Sequence, residues 1–177
     1  MSASTKAKAV TVGAGLVTII AAVAFKVTGL CINTTPSIPI GLYAAEDSPV
    51  TVGAYVIFCP PQSPVFENAL RRGYIEPGHC PGTYGRLMKK VLAAKDDVVA
   101  ISERGVEVNG TPVPHSTPQS RDAHGRPLTA MYMRPTTLTA TQLLLMTDRS
   151  EQSFDARYFG LVERAQVLSV IRPLITW

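Results

Sequence analysis

The chain has 177 residues and a mass of 19.0 kDa, which suits one compact domain with a short appendage and is too small for two full-sized domains. Apolar residues make up 46% and charged residues 17% of it, so its composition excludes a disordered tail, a coiled coil and a polytopic membrane protein. The 14 prolines and 13 glycines leave little room for long helices and favour strands and turns.

The net charge of +4 is unevenly distributed along the chain. Three of the 17 basic residues, Lys6, Lys8 and Lys26, lie in the first 26 residues, where no acidic residue occurs. The remainder therefore carries 14 basic against 13 acidic residues. We expect no nucleic acid partner, because nucleic acid binding requires a concentrated basic surface.

Residues 9–25 (AVTVGAGLVTIIAAVAF) are uncharged. As a helix this run spans roughly 26 Å, close to the hydrocarbon core of about 30 Å. Lys26 can extend its amine to the interface, and residues 27–32 continue the apolar stretch. We predict a single transmembrane anchor over residues 9–32. The alternative is a cleaved secretory signal, because Ala22-Val23-Ala24 resembles a signal cleavage site.

The basic start of the chain sets the expected topology. Positive residues stay on the cytoplasmic side of a membrane, so residues 1–8 are predicted to be cytoplasmic and residues 33–177 to form an exported domain. This arrangement corresponds to a single-pass protein of the bacterial inner membrane with a periplasmic domain.

Past the anchor, turn residues divide the chain into short β-rich segments. The predicted strands cover residues 41–45, 53–58, 86–94, 98–102, 106–108, 143–146 and 167–171. The segment 86–94 is ambiguous between helix and strand on local evidence, and the hairpin signal Asn109-Gly110 that follows favours the strand. Loops are expected at 33–41 and 112–127, and an insertion is expected at 62–82 with a short helix around residues 66–72. We predict a mainly β fold with a single antiparallel β domain.

Export allows disulfides among the three cysteines, Cys31, Cys59 and Cys80. Because the count is odd and Cys31 lies beside the membrane, we predict a bridge between Cys59 and Cys80. His79 precedes Cys80, but no second Cys/His pair with ligand spacing occurs, so zinc is not expected. We predict no metal and no cofactor.

A serine nucleophile requires a base that accepts its proton. The three histidines lie in loops rich in proline and glycine without an accompanying aspartate, which favours solvated side chains: His79, His115 and His124.

A lysine serves as base when burial lowers its pKa from about 10.4 to roughly 7–8. Past Lys26 the candidates are Lys89, Lys90 and Lys95. In a strand, both Lys89 and Lys90 have apolar neighbours on their own face, so alternation alone does not choose between them.

Several segments, in this order along the exported part, resemble the type I signal peptidases, which are serine proteases with a Ser/Lys dyad. They are residues 37–41 (SIPIG), 52–58 (VGAYVIF), 88–91 (MKKV) with 96–99 (DDVV), 106–110 (VEVNG) and 148–160 (DRSEQSFDARYFG). The resemblance implies the β domain of that family. It also implies a serine peptidase that acts on a membrane-bound substrate.

The resemblance assigns roles by position in these motifs. It implies that Ser37 is the nucleophile, that Lys89 is the general base and that Ser153 orients the lysine amine. Asp155 and Arg157 correspond to a charged pair that stabilises the site.

Thr35 lies where many family members have an oxyanion-hole hydroxyl, and the backbone N–H of Ser37 would be the other donor.

The chain departs from the common pattern at two places. Residues 93–96 (AAKD) replace the usual Leu-Pro-Gly-Asp turn, and residues 147–149 (TDR) replace a Gly-Asp-Asn opening. With its small size and single span, the chain most resembles the conjugative-transfer peptidases of the TraF type. These mature a plasmid-encoded pilin, and their cleavage can be coupled to cyclisation of the product. The implied partners are a membrane-anchored pilin precursor, the lipid bilayer and other conjugative transfer proteins.

Three alternative functions stay open on the sequence. The first is a general preprotein signal peptidase. The second is a non-catalytic, membrane-anchored β module of a pilus or secretion assembly. The third is a self-cleaving Ser/Lys repressor-like protease, which is disfavoured because that class carries a DNA-binding helix-turn-helix where this chain has its hydrophobic run.

Overall fold

The computed structural model describes residues 29–177. Within these residues the protein forms twelve strands: β1 Leu30–Asn33, β2 Gly41–Glu46, β3 Tyr55–Phe58, β4 Pro77–Cys80, β5 Leu87–Ala93, β6 Val98–Ser102, β7 Gly105–Val108, β8 Thr111–Pro112, β9 Met133–Thr137, β10 Gln142–Met146, β11 Val162–Glu163 and β12 Val167–Thr176. The helices in the same part of the chain are α1 Pro64–Arg72 and α2 Ala156–Phe159, and 3-10 turns occur at Pro81–Thr83 and Arg164–Gln166.

Eleven of these strands, all except β4, form two sheets in which each neighbouring pair is antiparallel. The larger sheet has seven strands in the order β1-β2-β12-β3-β5-β10-β11. The smaller has four in the order β8-β7-β6-β9. The prediction of a mainly β, antiparallel fold is confirmed.

One large cluster of buried apolar side chains joins the two sheets and α1. Its members include Val56 and Phe58 of β3, Val91 and Ala93 of β5, Leu143 to Met146 of β10, Val99 and Ile101 of β6, Val106 of β7, and Phe66 and Ala69 of α1. A smaller cluster on the other face of the large sheet contains Ile38, Tyr43, Ile57 and Ile171. The two sheets therefore share one core, and Ile38, the residue after Ser37, belongs to the second cluster.

Three predicted elements have different bounds in the structure. Strand β3 begins at Tyr55 because Gly53 adopts a left-handed turn conformation with φ of 91°. Helix α1 begins at Pro64, since a proline in the first turn loses no helical hydrogen bond. Strand β12 runs to Thr176, five residues beyond the predicted end, and its register with β2 shifts after Pro173, which cannot donate to the ladder.

The predicted anchor over residues 9–32 lies outside the described residues as far as residue 28. Its predicted end at residue 32 needs correction, because Leu30–Asn33 forms β1 and pairs with β2. Gly29 turns the chain with φ of 65°, and its carbonyl accepts a hydrogen bond from the Ala45 amide at 2.9 Å. No helix in residues 29–177 is long and apolar enough to cross a membrane.

The predicted insertion at 62–82 contains α1, β4 and the start of a 3-10 turn. A disulfide and aromatic contacts join it to the rest of the domain. A disulfide joins Cys59 to Cys80, whose Cα atoms lie 5.5 Å apart. The Phe66 ring of α1 packs 5.0 Å from the Phe159 ring and 5.9 Å from the Phe154 ring, measured between centroids. The insertion is thus part of the core, and it contacts the segment that follows Ser153.

Candidate active site

Lys89 lies on β5, in the middle of the large sheet. Its side chain points to the same face as Val91 and Ala93, and Val56 of β3 lies directly opposite. Only 4% of Lys89 is exposed. The strand therefore carries an amine into an apolar surrounding, where a charged group is unfavourable.

Ser37 lies on the loop between β1 and β2, over the same part of the sheet. It is 9% exposed, and its Oγ lies 2.7 Å from the Nζ atom of Lys89. The two residues are 52 positions apart in the sequence. A hydroxyl and an amine at this distance can exchange a proton directly.

Ser153 supplies the third polar group of the site, from the loop between β10 and α2. Lys89 Nζ donates to Ser153 Oγ at 2.9 Å, and the hydroxyls of Ser153 and Ser37 lie 3.2 Å apart. Since the lysine side chain has several rotatable bonds, this second contact fixes the direction in which the amine points. Ser153 is 6% exposed, so solvent does not compete strongly for the contact.

Burial lowers the pKa of Lys89 from 10.5 to about 8. Desolvation of the ammonium is the main cause, the Asp155 carboxylate opposes it by raising the pKa, and the Arg157 guanidinium lowers the pKa further. A pKa near 8 gives an appreciable fraction of neutral amine at neutral pH. Such an amine can accept the Ser37 proton, and the same 2.7 Å contact then runs from the serine hydroxyl to the nitrogen.

Asp155 and Arg157 form an ion pair with no exposed side-chain surface. Arg157 Nε and Nη2 each donate to a carboxylate oxygen of Asp155 at 2.8 Å. The remaining guanidinium hydrogens bind backbone carbonyls of four residues: Ser150, Glu151, Ser153 and His115. Asp155 also accepts from the Arg157 backbone amide, which caps α2. The pair therefore fixes the backbone on both sides of Ser153.

Thr35 is exposed, and its hydroxyl lies near the proposed nucleophile. Its Oγ1 atom is 3.5 Å from Ser37 Oγ and 3.1 Å from the side-chain oxygen of Asn33. This places a donor on the solvent side of Ser37, where a substrate carbonyl would approach.

The other candidate bases lie elsewhere. Lys90 points to the opposite face of β5 and binds Asp148, with Nζ and Oδ2 2.6 Å apart. Lys95 is exposed beside Asp96. The side chains of His79, His115 and His124 are exposed as well. Among the described residues, Ser37, Lys89 and Ser153 thus come together. Lys89 lies on the face of β5 that meets Ser37, and Lys90 lies on the other face.

Two residues at the site were missed in the sequence. Asn33 is buried and binds the loop that carries Ser37, and Asp148 binds Lys90 on the opposite face of β5. An asparagine before a loop with two prolines is a known turn signal and offered a hint. Nothing local indicated that Asp148 pairs with a lysine 58 positions away.

Comparisons with known proteins agree with this geometry. The family model described as signal peptidase, peptidase S26, matches residues 4–176. The chain belongs to the signal peptidase S26 family. A plasmid transfer protein TraF of Escherichia coli is 51% identical over 170 residues, which cover 96% of each chain. A conjugal transfer protein TraF of Agrobacterium fabrum is 36% identical over 169 residues, covering 93% of this chain and 92% of the relative.

Among solved structures, a signal peptidase I of Enterococcus faecalis V583 matches with a TM-score of 0.36 and 17% identity, covering 70% of this chain and 97% of that one. Membership of the S26 family makes this chain a serine peptidase of signal peptidase type. The relatives are named as plasmid or conjugal transfer proteins. The family resemblance stated from the sequence motifs is confirmed.

Proposed function

We propose that this chain is a membrane-anchored serine endopeptidase that matures a pilin precursor for conjugative plasmid transfer. The observation that carries the catalytic part is the buried Lys89 amine, 2.7 Å from Ser37 Oγ and 2.9 Å from Ser153 Oγ. The relatives, which are plasmid transfer proteins of nearly the same length, support the biological setting. The uncharged run at 9–25 supports the anchor.

In the proposed reaction, neutral Lys89 takes the proton from Ser37 as its oxygen attacks the scissile carbonyl. The oxyanion is stabilised by the Ser37 amide and the Thr35 hydroxyl. Lys89 then gives its proton to the leaving amine as the peptide C–N bond breaks. This step leaves an ester between Ser37 and the new carboxyl end of the substrate.

The acyl-enzyme has two possible acceptors, and the dyad serves both. Water gives an open-chain product with a free carboxylate. If the substrate's own amino terminus attacks, an amide C–N bond forms, the ester bond to Ser37 breaks, and Lys89 returns the amine's proton to the serine oxygen. The cyclic product is then lighter than the open chain by one water. We include cyclisation in the proposal as the second of these outcomes.

The test is co-expression with a membrane-inserted pilin precursor of a conjugative plasmid, followed by mass spectrometry of the product. We expect processing by the native chain and none by Ser37→Ala or Lys89→Ala. Lys90→Ala is the matched control, because Lys90 is the adjacent lysine on the opposite face. Processing that persists in Ser37→Ala would refute the assignment of Ser37 as the nucleophile.

A general signal peptidase is the second candidate, favoured by the family model itself. A panel of secreted preproteins tests it in the same cells. Cleavage of the panel at a rate similar to that of the pilin would favour the general role, and cleavage of the pilin alone favours the dedicated one.

A further inference from the structure

The nucleophile is carried by a loop that regular hydrogen bonding does not hold. The chain leaves the sheet at Asn33 and returns at Gly41, its partner across β1 and β2. Between them lie Pro36 and Pro39, which have no amide hydrogen. At the end of the loop the Tyr43 hydroxyl donates to the Pro39 carbonyl at 2.5 Å and the Trp177 amide donates to the Ile40 carbonyl at 3.0 Å. Residues 34–38 need another source of order to keep Ser37 within 2.7 Å of Lys89.

Asn33 supplies that order through its side-chain nitrogen. The side chain is buried, with 4% of the residue exposed. Its Nδ2 atom lies 2.6 Å from the Thr35 carbonyl oxygen, 2.9 Å from that of Ile38 and 3.1 Å from that of Pro39. Two amide hydrogens are thus shared among three carbonyls. These carbonyls lie before and after Ser37, so one side chain clamps both halves of the loop.

The side-chain oxygen of Asn33 contacts the remaining part of the loop. Oδ1 accepts from the Thr35 amide at 3.3 Å and from the Thr35 hydroxyl at 3.1 Å. These contacts fix the orientation of the Asn33 side-chain amide. With its oxygen and nitrogen exchanged, Oδ1 would face three carbonyl oxygens. Asn33 therefore holds the backbone and the hydroxyl of Thr35.

We propose that Asn33 is a positioning residue of the peptidase: its side-chain amide fixes the loop at 34–40 so that Ser37 reaches Lys89 and the Thr35 hydroxyl faces the reacting carbonyl. Asn33 acts through Ser37 and Thr35 and touches no substrate. In the free enzyme the Thr35 hydroxyl donates to Asn33, and it turns to the oxyanion when charge develops there. The kinetic part of this inference rests on the proposed function.

The test compares Asn33→Ala and Asn33→Asp with the native chain in steady-state cleavage of the membrane-inserted pilin precursor. For Asn33→Ala we expect kcat to fall about 100-fold with little change in KM, because a loop displaced by about 1 Å costs that much. Asn33→Asp keeps the size and Oδ1 but turns an acceptor toward three carbonyls. We expect it to lose at least as much.

A double-mutant cycle with Thr35→Val separates positioning from a general loss of structure. If Asn33 acts partly through the Thr35 hydroxyl, Asn33→Ala with Thr35→Val loses less activity than the product of the two single losses. Independent losses that multiply would contradict this coupling.

Asn109 offers a matched control. Its side chain also binds backbone and a neighbouring side chain, accepting from the Val98 amide at 2.8 Å and donating to Asp97 at 2.7 Å, but it closes the hairpin of the small sheet. We expect Asn109→Ala to lose stability and to keep the native kcat. Equal losses of kcat in Asn109→Ala and Asn33→Ala would overturn the proposal.

Hydrogen exchange tests the same inference without a substrate. Amides of residues 34–40 should exchange faster in Asn33→Ala than in the native chain or in Asn109→Ala. If the native chain cleaves no pilin, the proposed function fails, and the exchange measurement still decides the role of Asn33. Unchanged exchange, or native kcat in both Asn33 variants, would overturn this inference.

Discussion

The acid–base behaviour of Lys89 depends on its buried position on β5. A lysine in water is protonated at neutral pH and cannot act as a base. In the apolar face shared with Val56 and Val91, desolvation lowers the pKa of Lys89 to about 8, more than the Asp155 carboxylate raises it. The lowered pKa makes the acid–base behaviour of this one residue measurable.

Activity should follow the neutral fraction of Lys89. We expect kcat/KM to rise about tenfold per pH unit below about pH 8 and to level off above about pH 9. The measurement is cleavage rate against pH at low substrate concentration. A profile that is flat from pH 6 to 10 would exclude Lys89 as the base.

The same pKa shift predicts how stability depends on pH. Between about pH 8 and the ordinary value of 10.5, the unfolded state binds the Lys89 proton and the folded state does not. The free energy of unfolding contributed by this residue therefore rises with pH across that window. Lys89→Met lacks this rise. Urea unfolding from pH 7 to 10.5 should therefore show that the free energy of unfolding increases more with pH in the native chain than in the variant. Parallel curves would contradict the assigned pKa.

In the sequence, strand alternation leaves both Lys89 and Lys90 as candidate bases and does not choose between them. Alternation defines two faces of β5 but not which face the Ser37 loop covers. That depends on contacts of Lys89 with residues 52 and 64 positions away and on the pairing of Lys90 with Asp148. Only the motif resemblance indicated Lys89.

The segment from β10 to α2 shows how a loop without regular structure is fixed. Arg157 donates to the backbone carbonyls of Ser150 and Ser153 and to both oxygens of Asp155. With both side chains fully buried, each charge is compensated by the other at 2.8 Å. Ser153 is held in place by this pair.

Breaking the pair should therefore destabilise the protein strongly. We expect Arg157→Met to lower the free energy of unfolding by about 3–5 kcal/mol, because it leaves the buried Asp155 carboxylate without its countercharge and several buried carbonyls without the guanidinium donor. Urea denaturation measures the change. Arg104→Met is a control on an exposed arginine, and a loss below about 1 kcal/mol for Arg157→Met would contradict this account.

The disulfide between Cys59 and Cys80 stabilises the insertion that contains α1. It closes a loop of 21 residues, so its removal should cost about 3 kcal/mol on the chain-entropy model. We expect Cys59→Ala with Cys80→Ala to unfold at lower urea concentration than the native chain. Native protein should carry one free thiol, at Cys31. Labelling of three thiols without reductant would show that the bridge is absent.

At the scale of elements, the sequence predicted those with strong local signals. The hairpin at 98–108 was predicted from Asn109-Gly110, and β2 and β10 from short apolar or aromatic runs; β5 was predicted as a strand because the hairpin follows it. Strand β1 was missed because Leu30 to Ile32 continue the apolar run of the predicted anchor. Its strand form depends on pairing with β2, which local hydrophobicity does not reveal.

For the whole molecule, the proposed function depends on where the chain places its site. The described domain begins directly after the uncharged run, and Ser37 lies only a few residues beyond β1. An anchor at 9–28 would therefore hold Ser37 near the membrane surface. Confinement to the membrane would raise the encounter rate with a substrate held in the same bilayer.

This placement predicts a retained, single-pass anchor. Full-length protein in bacterial membranes should resist alkaline extraction, and protease added to spheroplasts should degrade the domain, because the basic start stays cytoplasmic. The intact mass distinguishes retention from removal of a signal after Ala24.

Replacing residues 9–28 with a cleavable secretory signal provides the matched comparison: the domain should become soluble in the periplasm and keep its kcat on a short peptide. Its cleavage of membrane-held pilin should fall at least tenfold. Equal cleavage of membrane-held pilin by both forms would show that the anchor does not contribute through proximity.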